Sequence, residues 1–203
     1  MNGFPSPFSG PSDGESEMFD EYDQFAPDYI PTPGWFLEGH AILVDEDHIA
    51  FHEITKDIFE DRGVYDMTFG YNLARLNLDT RHPDAGYRYA LDSDNPSVLR
   101  AEFTPTTPFC PQSDTLTKGS FRAWNGLSDR HEYEIVRVRV AEMHHRSDEI
   151  NDALEDIEKK YFETGSVAHV GELESRDPGA SGKHDCSDGT ETTRGEYEPD
   201  GPF

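Results

Sequence analysis

The chain has 203 residues and a formal net charge of −25, with 42 Asp and Glu against 17 Lys and Arg. That imbalance argues against nucleic-acid binding, which needs clustered cations to displace phosphate counterions, and against an anionic membrane surface, which would repel the chain. No apolar run approaches the length of about 18 residues that a transmembrane helix needs.

Residues 1–25 are rich in Pro, Gly, Ser, Asp and Glu, and read as a disordered acidic tail that cannot bury enough apolar surface to offset its ordering entropy. The aromatic, Pro-braced stretch Tyr29–Phe36 is expected to pack across the domain without forming an element. Ala41–Val44 is a short apolar run, a strand or a buried helical turn. Over 46–60, Ala50, Phe51, Ile54, Ile58 and Phe59 recur at spacings of three and four, which predicts an amphipathic helix. Leu73–Leu78 alternates like a half-buried strand. His82-Pro83-Asp84 and Asp94-Asn95-Pro96 are turn chemistry, with a short strand around Tyr87 and Tyr89 between them. Val98–Thr106 reads as a strand ending in a Pro-punctuated loop, and 112–125 as a helix stopped by Gly126. Tyr133–Val140 alternates, with Val136, Val138 and Val140 on one face and Arg137 and Arg139 on the other. Ser147 is placed to cap a helix of about 147–163 with Ile150, Leu154, Ile157 and Tyr161 in one stripe. Residues 165–203 read as a second disordered acidic tail.

The expected architecture is one α/β (α+β) domain over 26–164, a two-layer sandwich of a small mixed sheet with helices. Only five of the basic residues are Lys and twelve are Arg, and acid excess runs through the folded segments, as in Asp45-Glu46-Asp47. Such a surface suits a salt-loving cell, where self-repulsion is screened. The N-terminus has neither the basic nor the apolar region of a secretory signal, and two cysteines are too few for a disulfide framework. A cytoplasmic location with reduced thiols is therefore expected.

The segment Thr104-Pro105-Thr106-Thr107-Pro108-Phe109-Cys110-Pro111 places a cysteine between a strand and a helix. Pro108 holds the approach, and Pro111 is expected in the first helical turn, so that Cys110 would lie at the positive helix end, where a thiolate is favoured. Such a thiolate can bind a soft metal, carry a cluster or attack an electrophile; a buried apolar cysteine beside Phe109 is the plainer reading. His144-His145 follow the alternating strand. Adjacent residues of an extended chain point to opposite sides, so one of the two could join Cys110 as a metal ligand if the strands are neighbours; a solvated pair at a strand end is the plainer reading. His48 and His52, followed by Glu53, share a helix face as metal pairs do, although a helix surface suffices to explain them. His184-Asp185-Cys186 lies in the C-terminal tail. No phosphate-binding loop, nucleophile elbow or Cys-x-x-Cys pair is present, so the sequence leans away from catalysis.

At the Cys110 segment the chain resembles the SufT/PaaD-like family of small iron–sulfur-cluster assembly domains, which carry Thr-x-Thr-Ser-Pro-x-Cys-Pro between a strand and a helix. Thr104, Thr106, Pro108, Cys110 and Pro111 match in register, and the resemblance spans about 45–145. It implies an accessory role in assembling or transferring metal–sulfur clusters through Cys110. The implied cofactor is a transient iron–sulfur cluster or iron, and the implied partners are client or assembly proteins, or a second copy in a homodimer. The family's Asp-Pro-Glu-type segment is absent from 61–66, and Glu142-Met143-His144-His145 replaces its aromatic, Pro-rich segment. The alternative is therefore a non-catalytic protein–protein interaction module of the same fold.

Overall fold

The computed structural model describes Phe19 and residues 30–167; most of the two predicted tails and His184-Asp185-Cys186 lie outside the described residues. Among the described residues, three α-helices and a mixed sheet are present, as the sequence predicts, with the elements β1 (Ala41–Ile42), α1 (Asp45–Arg62), β2 (Tyr65–Asp66), β3 (Tyr71–Asn72), β4 (Gly86–Leu91), β5 (Val98–Thr104), α2 (Ser113–Gly126), β6 (Ile135–Val140) and α3 (Ser147–Thr164). The main sheet runs β1-β4-β5-β6, antiparallel except for the parallel pair β5–β6. A parallel neighbour needs a crossover, and α2 supplies it.

Helix α1 opens with Asp45, Glu46 and Asp47, whose charges suit the positive helix end. It closes at Gly63 (φ 67°), where Gly63 N–H and Val64 N–H donate to Glu60 O (3.3 Å) and Phe59 O (2.9 Å). This Schellman pairing needs a left-handed residue that glycine adopts without penalty. The core lies between α1, α2 and one sheet face: Trp124 packs against Tyr87 (5.1 Å between rings), and Phe51 against Tyr89 (4.9 Å). Tyr87 Oη donates to Ser120 Oγ (2.8 Å), and Trp124 Nε1 donates to Thr55 Oγ1 (3.1 Å). The stripe Ile150, Leu154, Ile157 of α3 is buried in the same core, with Tyr161 against Phe121.

The opposite sheet face is charged, yet covered. Register places Arg88, Glu102 and Arg139 in one row across β4, β5 and β6, and Ala90, Arg100 and Arg137 in the next. A short 3-10 turn, Trp35–Leu37, lies over it, where the sequence predicts a packed segment without an element. Glu102 fastens that turn by accepting Gly34 N–H (2.6 Å) and Phe36 N–H (3.2 Å); burial holds its carboxyl above the usual range. The Phe36 ring sits under the guanidinium groups of Arg100 (4.8 Å) and Arg139 (5.1 Å). Glu158 reaches round from α3 to pair with Arg139 (2.5 Å) and Arg137 (3.0 Å).

Three asparagines cap strand edges. Asn125 accepts Val136 N–H (2.9 Å) and donates to Val136 O (2.9 Å); Asn151 does the same for Val140 (2.8 and 3.0 Å) on the outer edge of β6. Between them, Arg139 Nη1 donates to Val138 O (2.7 Å). Asn77 makes the same two-point contact with Tyr87 on β4, beyond the end of β1 (2.7 Å each way). A primary amide presents a donor and an acceptor at nearly the spacing of a backbone edge, so each asparagine stands in for a strand residue and blocks edge pairing. Gly86 permits the close approach of Asn77, whose amide oxygen would collide with any β-carbon there.

Two local expectations are corrected, and one element is added. Leu73–Leu78 is a 3-10 helix, not a strand. Leu73, Ala74, Leu76, Asn77 and Leu78 are all buried, so the alternation has no solvent side, and Asn72 caps the turn by accepting Ala74 N–H (3.0 Å). Ser147 is the first helical residue and makes no capping bond. The hairpin β2–β3 was not anticipated, because two-residue strands are too short to show a period; Asp66 shapes its turn by accepting Thr68 and Phe69 N–H (2.7 and 3.2 Å).

Candidate functional site

Because β5 and β6 are parallel neighbours, the loops after them, 105–112 and 141–146, emerge side by side at the strands' carboxyl ends. That end of an α/β sheet is where ligand sites gather. The first loop carries Cys110 and the second His144 and His145, so the fold brings the predicted residues together. Thr104 ends β5, and Thr106 lies partly buried in the bend beyond it.

Helix α2 begins at Ser113, after a non-helical turn containing Pro111. Pro111 is therefore not in the first helical turn, and it is the Cys110 carbonyl that meets the helix, accepting Ser113 N–H (3.4 Å). Cys110 is partly exposed and, among the described residues, makes no disulfide. The residues 141–146 form turns, with His144 N–H donating to Ala141 O (3.1 Å), and this overturns the expectation that the two imidazoles face opposite sides of an extended chain. Buried His144 donates from Nε2 to Cys110 O (3.1 Å) while its Nδ1 accepts Arg146 N–H (3.2 Å). His145 donates twice to Pro108 O, from its backbone (3.0 Å) and from Nδ1 (2.8 Å). The histidines thus hold the loop's backbone. As folded, His144 has both ring nitrogens engaged, and His145 keeps Nε2 beyond its loop bond.

Gln112 holds the loop from the other side, accepting Met67 N–H (3.1 Å) and donating to Thr68 Oγ1 (2.6 Å). On this fastened frame Phe109 is 71% exposed, in ring contact with His145 (5.0 Å), and Met67, on the tethered hairpin, is 81% exposed. Neither apolar side chain was picked out from sequence as a surface feature.

A resident iron–sulfur cluster generally takes about four ligands. Among the described residues, one thiol with one imidazole committed to backbone bonds does not make such a set, and no group of three His, Cys, Asp or Glu is placed to hold a metal ion. The pair His48 and His52 is neither on a helix surface nor arranged for metal. Both are buried, their rings 5.5 Å apart. His52 donates from Nε2 to Ala74 O (2.8 Å) and accepts Tyr89 O–H at Nδ1 (2.8 Å). Burial pushes His48 down to about 2, helped by the charges of His52 and Arg88, and His52 down to about 4 against the opposing Ala74 bond. Periodicity marked their shared face but could not say that it points at Tyr89.

Fold and site define a small α/β domain that presents a fastened loop at the carboxyl end of a parallel strand pair. The chain belongs to the family described as Domain of unknown function (DUF7998), whose family model it matches over residues 17–168. Comparisons with curated proteins and with solved structures return no match. No helix among the described residues is long and apolar enough to cross a membrane.

Proposed function

We propose that the domain is a non-catalytic protein-binding module whose contact face is the Cys110 loop with the tethered Met67 hairpin. The observation that supports it most is Phe109, held in water on a loop fastened by His144, His145 and Gln112. An exposed aromatic on a rigid frame loses little freedom on binding, and Phe and Met are enriched at interface centres. The acid-rich surface suits a cytoplasm of molar salt, where short-range apolar contact outlasts long-range steering.

The test is affinity purification of the full chain from its own cell in high salt, then binding measurements with the purified partner so identified. Phe109→Ser and Met67→Ser should each weaken that complex by about tenfold or more while leaving unfolding unchanged. A partner that binds both variants like the parent would reject this face.

A second reading, favoured by the partly exposed Cys110 at the same strand ends, is the accessory role in metal–sulfur cluster assembly that the resemblance implies. The cluster is then cargo, with Cys110 supplying one of its ligands and a client or a second copy the others. Anaerobic incubation with iron and sulfide should give visible absorption that Cys110→Ser abolishes. Absorption equal in parent and variant, or absent from both, would leave the docking reading alone.

A further inference from the structure

A concavity lies away from the Cys110 loop, between the first half of α1 and the 127–134 segment that leads into β6. It encloses about 680 Å³, within the range of small-molecule sites, about 300–1,000 Å³. Its apolar lining comes from Leu43, Phe51, Ile54 and Leu91, with Ala50 on the rim. One wall is aromatic: Phe51 meets Tyr133 edge to face (5.5 Å, 73°), and His131 lies 5.9 Å from Tyr133.

The charges around this wall are one-sided. Asp47, Asp129 and Glu132 line the cleft. Arg130 lines it too, but its guanidinium pairs with Asp61. His131 adds no positive charge: it donates from Nε2 to Trp124 O (3.1 Å), accepts Tyr133 N–H at Nδ1 (3.3 Å), and burial holds its pKa down. The Tyr133 phenol is pushed up by burial and then by the charges of Glu132 and Asp47, so the carboxylates act on the wall itself.

We infer that this cleft binds a small organic cation with a flat apolar body, an arylalkylammonium in class. Its ring would lie against Phe51 and Tyr133 and its ammonium group toward Asp47, Asp129 and Glu132. An aromatic face and several carboxylates both favour a cation, and the apolar interior favours one with a hydrophobic ring over an inorganic ion. The inference is independent of the Cys110 loop.

The test uses three probes of one shape on the full chain in salt that keeps it folded: phenethylammonium, neutral phenethyl alcohol and anionic hydrocinnamate. Amide NMR titration should show saturable one-to-one binding of the cation, with shifts confined to the neighbourhoods of Leu43 and Leu91 and to residues 47–54 and 129–133. The cation should bind about three- to tenfold tighter than the alcohol, as expected for a few exposed charge contacts, and the anion weakest. Ala50→Trp, at an exposed position of α1, should fill the cleft and abolish the titration. Asp47→Asn with Glu132→Gln, both on the surface, should bring cation and alcohol within about twofold while ring binding persists. Equal binding of all three probes, shifts elsewhere, no saturation, or an unchanged titration in Ala50→Trp would each overturn the inference.

Discussion

Acid should destabilise this domain through two buried histidines. His48 and His52 have folded pKa values of about 2 and about 4, against 6.5 for a free imidazole. Between these values the unfolded chain binds more protons than the folded one, so stability rises with pH. Their contribution is fully present above pH 6.5. It is lost progressively as pH falls, toward about 4 for His52 and about 2 for His48. At pH 5, protonating each unfolded imidazole lowers the free energy of the unfolded state by about 2 kcal/mol, and the folded state gains almost nothing. Together the loss is about 4 kcal/mol, a large part of the 5–15 kcal/mol that domains typically possess. His131, also held down by burial, adds in the same direction. Urea unfolding in molar KCl at pH 7, 6 and 5, followed by the fluorescence of buried Trp124 and by circular dichroism, measures the slope. His52→Gln should be less stable at pH 7, since the bonds to Tyr89 and Ala74 are disturbed, yet lose about 2 kcal/mol less between pH 7 and 5 than the parent. A parent that loses less than about 1 kcal/mol over that interval, or a variant with the full slope, would refute the assignment of these groups as buried and neutral.

Asn151→Ala should cost about 1–3 kcal/mol, because Val140 loses both edge partners. Asn151→Asp should recover only the accepting half, and urea midpoints that coincide with the parent would show that the cap carries no energy. Glu158→Ala should cost up to about 3–5 kcal/mol, because Arg139, 1% exposed, keeps only the half-exposed Glu155 (3.4 Å) as counter-charge; a loss under about 0.5 kcal/mol in the same assay would contradict this. Dilution from molar to about 0.1 M KCl lengthens the screening distance from about 3 to about 10 Å and should lower the melting temperature. Equal melting temperatures would remove the high-salt reading of the acidic surface.

What the sequence determined by itself was whatever a local period or turn residue specifies. The stripe Ile150-Leu154-Ile157 and the spacing of Phe51, Ile58 and Phe59 required helices, because only a helix puts those positions on one buried face. The alternation of Val136, Val138 and Val140 required a strand, and Cys110 was correctly read as lying between strand and helix. Tertiary structure decided whatever depends on which element lies next to which. Leu73–Leu78 alternates like a strand, but every position except Arg75 is buried, and it coils so that Asn77 can reach Tyr87. His48 and His52 share a face, as their spacing says, yet only the placement of α1 on β4 makes that face interior and their rings neutral. Adjacency likewise set the role of His144 and His145. The parallel pairing of β5 with β6 carries them to the Cys110 loop, and the turn after β6 directs both to carbonyls of that loop. A side chain's type states what it can donate or accept; the partner it meets is a long-range contact, and local sequence carries no record of it.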